Sequence, residues 1–97
     1  MLNYQTLPIV KSQDGFTEIY LDFERGKVYI VYANGDTNVF YWRRNIYTRS
    51  GIARWSIHES SHPNSLPYQY IYNDMDVEDY YQEYLIDKSI AESLQNS

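Results

Sequence analysis

The chain has 97 residues, no cysteine, 43% hydrophobic residues and a formal net charge of −5. That length supports one core, so residues 1–97 read as a single domain, and the apolar content excludes a disordered chain. Without cysteine there is no disulfide scaffold, no thiol nucleophile and no thiolate metal site, and the composition fits a reducing, cytoplasmic setting.

Apolar runs stay short of the roughly 18 residues that a membrane span needs, so no membrane association is expected. Met1 to Lys11 lacks the charged start and apolar stretch of a secretion signal. From Phe16 to Phe23 the residues alternate, with Ile19, Leu21 and Phe23 on one face and Glu18, Tyr20 and Asp22 on the other, which predicts a strand. Glu24 to Lys27 reads as a turn in which Gly26 can take a positive φ. Val28 to Ala33 is a second strand, apolar on both faces. Asn34-Gly35 marks a hairpin, and Thr37 to Trp42 forms a third strand, again two-sided. Such strands need cover on both faces. The C-terminal helix is expected to supply one cover, and Tyr4 to Val10 or residues 46–72 the other, unless the sheet curls into a half-closed barrel.

Ile52 to Ile57 alternates as a fourth strand. Ser60 to Pro67 is rich in proline and serine and reads as a loop; Tyr68 to Tyr72 is a short aromatic strand. From Asn73, Asp74 or Asp76 a helix runs to about Leu94, with acids in its first turn where the helix dipole favours them. At helical spacing Val77, Tyr80, Tyr81, Tyr84 and Ala91 share one face, while Ile86, Ile90 and Leu94 project from another. The second stripe predicts either a bend near Asp87-Lys88 or a surface for a partner, including a second copy of this chain. The fold class is therefore α+β: a small antiparallel meander of three to five curved strands over about residues 1–72, with one helix over about 74–94 packed on it.

Charge is unevenly placed. Arg43, Arg44, Arg49 and Arg54 fall within one short segment, interleaved with Trp42, Tyr47 and Trp55. Arginine forks flanked by aromatics suit phosphates and stacked bases, so Trp42, Arg43, Arg44, Arg54 and Trp55 form a candidate nucleotide or single-strand site. The same arginines could instead pair with the acidic helix or stack on the tryptophans. Net acidity argues against extended contact with nucleic acid. The helix carries Asp74, Asp76, Glu78, Asp79, Glu83, Asp87 and Glu92 against one base, Lys88. Such a helix attracts a basic protein surface. Asp76, Glu78, Asp79, Glu83 and Asp87 are the candidate partner-binding acids, with Tyr80, Tyr81 or Tyr84 as anchors where exposed. The chain holds 12 tyrosines, a residue with an apolar body and a polar tip that serves cores and interfaces alike.

His58-Glu59-Ser60-Ser61-His62 resembles zinc peptidases at these five residues only. There, two histidines one helical turn apart bind the metal and the glutamate acts as base on the bound water. Here the preceding residues alternate like a strand, serines fill the middle, and Pro63 disfavours a helix at His62. His58 and His62 are thus a candidate metal pair in an unfavourable setting, with Glu78 or Glu83 as conceivable third ligands. Phosphate loops, dinucleotide glycine motifs and nucleophile elbows are missing from the sequence. Small size, no cofactor motif, an acidic helix and surplus tyrosine together predict a non-enzymatic protein-binding module. The concrete expectation is an inhibitor or neutraliser of another protein, of the kind that phages direct against host defences or that serves as toxin immunity. A nucleotide-binding patch and a metal-dependent hydrolase at residues 58–62 are the alternatives.

Overall fold

Alternation of apolar side chains makes the first three quarters of the chain an antiparallel sheet. The computed structural model describes residues 6–46 and 49–95, so Tyr4 and Tyr47 lie outside the described residues. Its strands are β1 (Ile9–Lys11), β2 (Glu18–Asp22), β3 (Lys27–Val31), β4 (Thr37–Ile46), β5 (Ala53–His58) and β6 (Gln69–Tyr70), followed by one helix, α1 (Asp74–Gln95). The six strands lie side by side in chain order, each antiparallel to the next. This is an α+β fold with a curled, half-barrel sheet, and it has more strands than the sequence predicts. The one beyond the expected number is the short edge strand β1; β6 falls within Tyr68 to Tyr72, where the sequence places a strand.

The curl has its source in β4. This strand is 10 residues long. Its first half pairs with β3, Thr37 opposite Val31 through Tyr41 opposite Lys27. Its second half pairs with β5, Tyr41 opposite His58 through Ile46 opposite Ala53. Tyr41 is the one position with a partner on each side. Such stagger between neighbouring hairpins is how a sheet bends towards closure. The sequence reading stops this strand at Trp42, because Arg43, Arg44 and Asn45 carry no apolar signal. Their backbones continue the ladder all the same.

Turn chemistry sets the hairpins. Between β2 and β3, the Asp22 carboxylate accepts the Arg25 backbone N–H at 3.0 Å, and Gly26 takes φ of 72°. Between β3 and β4, the Gly35 N–H donates to the Tyr32 carbonyl at 2.9 Å and the Tyr32 N–H to the Asp36 carbonyl at 2.9 Å. Only glycines have positive φ among the described residues, so Asn34 stays right-handed and Gly35 alone, at 91°, supplies the left-handed step. Phe16, predicted as the start of a strand, sits in the β1–β2 loop and is 73% exposed. That loop closes on itself through the Asp14 carboxylate, which accepts the Phe16 N–H at 2.9 Å.

One face of the sheet carries the core. Val10, Ile19, Leu21, Val28, Ile30, Phe40, Trp55 and Ile57 are buried there with Phe23, Ile71 and Val77. The first half of α1 covers this face. Phe23 is the hub of its aromatic centre, with ring centroids 5.9 Å from Trp42, 5.7 Å from Trp55, 5.5 Å from Tyr81 and 5.7 Å from Tyr84. Each such pair adds about 0.5–1.5 kcal/mol beyond its buried area. Both indoles have partners: Trp42 Nε1 donates to the Asp22 carbonyl at 2.9 Å, and Trp55 Nε1 to Glu78 Oε1 at 3.1 Å.

For the second face the sequence allows a curled, half-closed sheet in place of a cover, and the sheet is curled. β1, β5 and β6 extend the sheet sideways rather than folding over it. Among the described residues, the loop after His58 overlays the corner of that face at β4 and β5, where Arg43 donates to the carbonyls of His62 and Ser65. The helix lies where the sequence places it, without a break near Asp87-Lys88, where one of two readings of its second stripe puts a bend. It runs unbroken for 22 residues. Val77 is buried and Tyr80, Tyr81 and Tyr84 are half-buried, whereas residues 85–94, Ala91 included, are all exposed.

Candidate functional site

The five residues of the arginine–tryptophan patch do not share a surface. In a strand, neighbours point to opposite faces. Trp42, Arg44 and Trp55 therefore lie on the helix side, and Arg43 and Arg54 on the other. Trp55 is fully buried, so no base can stack on it. Each arginine also has a partner within the chain. Arg43 holds the loop carbonyls, and the Arg54 guanidinium lies 4.0 Å from the centre of the Tyr70 ring. Arg44 makes a fork with Glu78, Nε to Oε1 at 2.8 Å and Nη2 to Oε2 at 2.6 Å.

This ion pair removes Glu78 from the partner-binding acids. Its carboxylate also accepts from Trp55 Nε1 and, at 2.9 Å, from Gln82 Nε2. The hydrogen bonds from Arg44, aided by those from Gln82 and Trp55, outweigh partial burial and pull the Glu78 pKa down to about 2. The same fork pushes the Arg44 pKa up. Glu78 is thus a clamp between α1 and the β4–β5 pair.

The residues that resemble a zinc peptidase motif are not on a helix. His58 ends β5 and is 1% exposed, while Glu59 and His62 lie in the following loop. His58 Nε2 is 2.7 Å from Ser56 Oγ and Nδ1 is 3.2 Å from Ser65 Oγ. Burial, and next the charge of Arg43, push the His58 pKa down, so its ring is neutral at pH 7. His62 Nδ1 accepts the Asn64 N–H at 3.2 Å. No group of three or more histidine, aspartate or glutamate side chains stands ready for a metal among the described residues. Ser56, hydrogen-bonded to His58, is itself fully buried and also takes a bond from Asn45 Nδ2 at 3.0 Å. The contact between His58 Nδ1 and Ser65 Oγ therefore fastens the loop to the strand.

What remains exposed is a stripe along α1. Asp76, Asp79, Glu83, Asp87, Ile90 and Leu94 recur at intervals of three and four, which aligns them on one side of a helix, with Ile86 beside them. The stripe lies roughly a quarter-turn from the side that packs on the sheet. Ile86, Ile90 and Leu94 are 59%, 54% and 72% exposed. Asp76, Asp79, Glu83 and Asp87 are exposed too, and none has an ion pair among the described residues, where the salt bridges are Arg25–Asp22 and Arg44–Glu78. The tyrosines expected as anchors are half-buried: Tyr81 rests on Trp55 and Phe23, Tyr84 on Phe23, and Tyr80 against the same core. The alternation of acids with exposed aliphatics on one stripe is legible in the spacing. Its exposure follows from where the helix docks. Comparison with protein families, with curated proteins and with solved structures finds no match to this chain.

Proposed function

We propose that this protein is a non-enzymatic binding module that docks on a basic, partly apolar surface of another protein through the outer stripe of α1, and acts by occupying that surface. The observation that carries this reading is the juxtaposition of exposed Ile86, Ile90 and Leu94 with the carboxylates of Asp79, Glu83 and Asp87, which have no ion pair among the described residues. Aliphatic side chains provide contact area that gains from leaving water, and the acids select a partner of opposite charge and speed its approach. A net charge of −5 adds to that steering. A second copy of the chain fits less well, because pairing two such stripes sets acid against acid. Inhibition or neutralisation of the partner is the natural consequence for a small domain whose exposed chemistry is a recognition surface.

The test uses quantitative cross-linked recovery from source lysate at low salt, with nuclease present. Wild type is compared with Glu83→Lys/Asp87→Lys and with Ile90→Glu. The partner should be a basic protein, recovered at least about tenfold less by both variants and lost from wild type at high salt. All three side chains are exposed, so circular dichroism and melting should not change. Equal recovery by wild type and both variants refutes the reading.

A further inference from the structure

Beyond Tyr84 the helix and the sheet separate, and a groove of about 520 Å³ opens between α1 and the β2–β3 turn. Its size lies within the ~300–1,000 Å³ range of ligand clefts. Leu21 and Phe23 form its floor. Tyr80 and Tyr84 make the helix wall, and Leu7 and Pro8 face them. The rim is acidic, with Glu24 from the turn and Glu83 and Asp87 from the helix. Of the other charged residues at the groove, Asp22 and Arg25 neutralise each other at 3.3 Å. Lys88 leans over the Tyr84 ring, its ammonium 5.9 Å from the ring centre. Among the described residues, three carboxylates without an ion pair thus stand at an apolar, tyrosine-lined trough against one such ammonium. Glu83 and Asp87 also belong to the outer stripe, so the groove is that surface continued inward.

We infer that the groove takes a basic apolar peptide segment of the partner protein: an arginine or lysine beside an aliphatic or aromatic residue. This rests on the binding reading above and names the chemistry of what is bound. The apolar residue lies on the half-buried Leu7 and Pro8 above the Phe23 ring. The cation lies along the tyrosine wall, where ring faces attract it, and its charge meets Glu24, Glu83 and Asp87. A long basic side chain suits the site because its apolar stem can rest on the trough while its charged head reaches the rim. A purely apolar ligand would bury none of that charge complementarity, and an acidic one would be repelled.

The test is titration of ¹⁵N-labelled protein with the peptide acetyl-Leu-Arg-Phe-Arg-amide. Its counterpart acetyl-Leu-Glu-Phe-Glu-amide and argininamide alone serve as comparisons. The basic peptide should shift the backbone amides of residues 21–25 and 80–88. Glu24→Lys and Glu83→Lys, both at exposed sites, should each raise its Kd about tenfold while their spectra show an intact fold. The acidic peptide should leave the amides in place, and argininamide should bind more weakly. A change in Kd below about twofold in both variants overturns the inference. So does equal binding of argininamide, which would make the groove a site for small cations. If the shifts fall on Ile86, Ile90 and Leu94 alone, the groove assignment fails and the partner reading stands. If the peptide occupies the groove while partner recovery ignores Glu83→Lys/Asp87→Lys, the partner reading fails and the groove stands.

Discussion

Glu78→Gln tests whether the clamp between α1 and the sheet works through charge. Glutamine keeps the size and one carbonyl oxygen, so it can still accept from Trp55 Nε1; what it loses is the charged fork to Arg44. The Glu78 carboxyl titrates at 4.5 when unperturbed and at about 2 in the folded chain. At about 1.36 kcal/mol per pH unit, that difference corresponds to at most about 3 kcal/mol of stability at neutral pH. The Arg44 and Glu78 side chains are 27% and 25% exposed, so solvent reduces the expected loss on substitution to about 1–2 kcal/mol. For a domain of this size that lowers Tm by roughly 5–15 °C. The sign with pH follows from the depressed pKa. The stabilisation is complete above 4.5 and fades as pH falls towards about 2. Urea unfolding followed by tryptophan fluorescence at pH 7, 5, 4 and 3 should show a gap between wild type and Glu78→Gln that is constant at pH 7 and 5 and narrows below. A gap of the same size at pH 7 and pH 3 would refute the electrostatic account and assign the loss to packing.

His58 gives a second pH signature. Its pKa is lowered from 6.5 in the folded state, first by burial and then by Arg43, so the unfolded chain binds the proton more tightly. Wild type should therefore lose stability as pH drops below 6.5, and His58→Asn should be less stable at pH 7 but flatter between pH 7 and 5; parallel curves from urea titrations would remove His58 as the source. Gly35→Ala should cost about 1 kcal/mol through its left-handed backbone alone, since nothing lies within 4 Å of the added methyl group. Gly35→Asn should cost less, and equal losses for the two in urea unfolding would contradict the backbone argument.

Local periodicity made much of this fold readable. The two-residue alternation of Ile19 and Leu21, Val28 and Ile30, and Trp55 and Ile57 marks β2, β3 and β5, because a pleated strand sends alternate side chains to one face. Val77, Tyr80, Tyr81 and Tyr84 mark the packing side of α1 for the same kind of reason, at helical spacing. Periodicity names faces, but it does not say which of them another element covers. Arg44 and Glu78 stand 34 positions apart, and only the docking of α1 across β4 and β5 makes them a fork. The sequence leaves Trp55 open between core and stacking platform; the helix laid over it makes it core. Arg43, Arg44 and Asn45 break the apolar pattern yet extend β4, because backbone pairing with β5 needs no apolar side chain. The acids and aliphatics of the outer stripe have their spacing in the sequence. They form a surface because α1 runs on past the stretch that packs on the sheet, leaving residues 85–94 exposed.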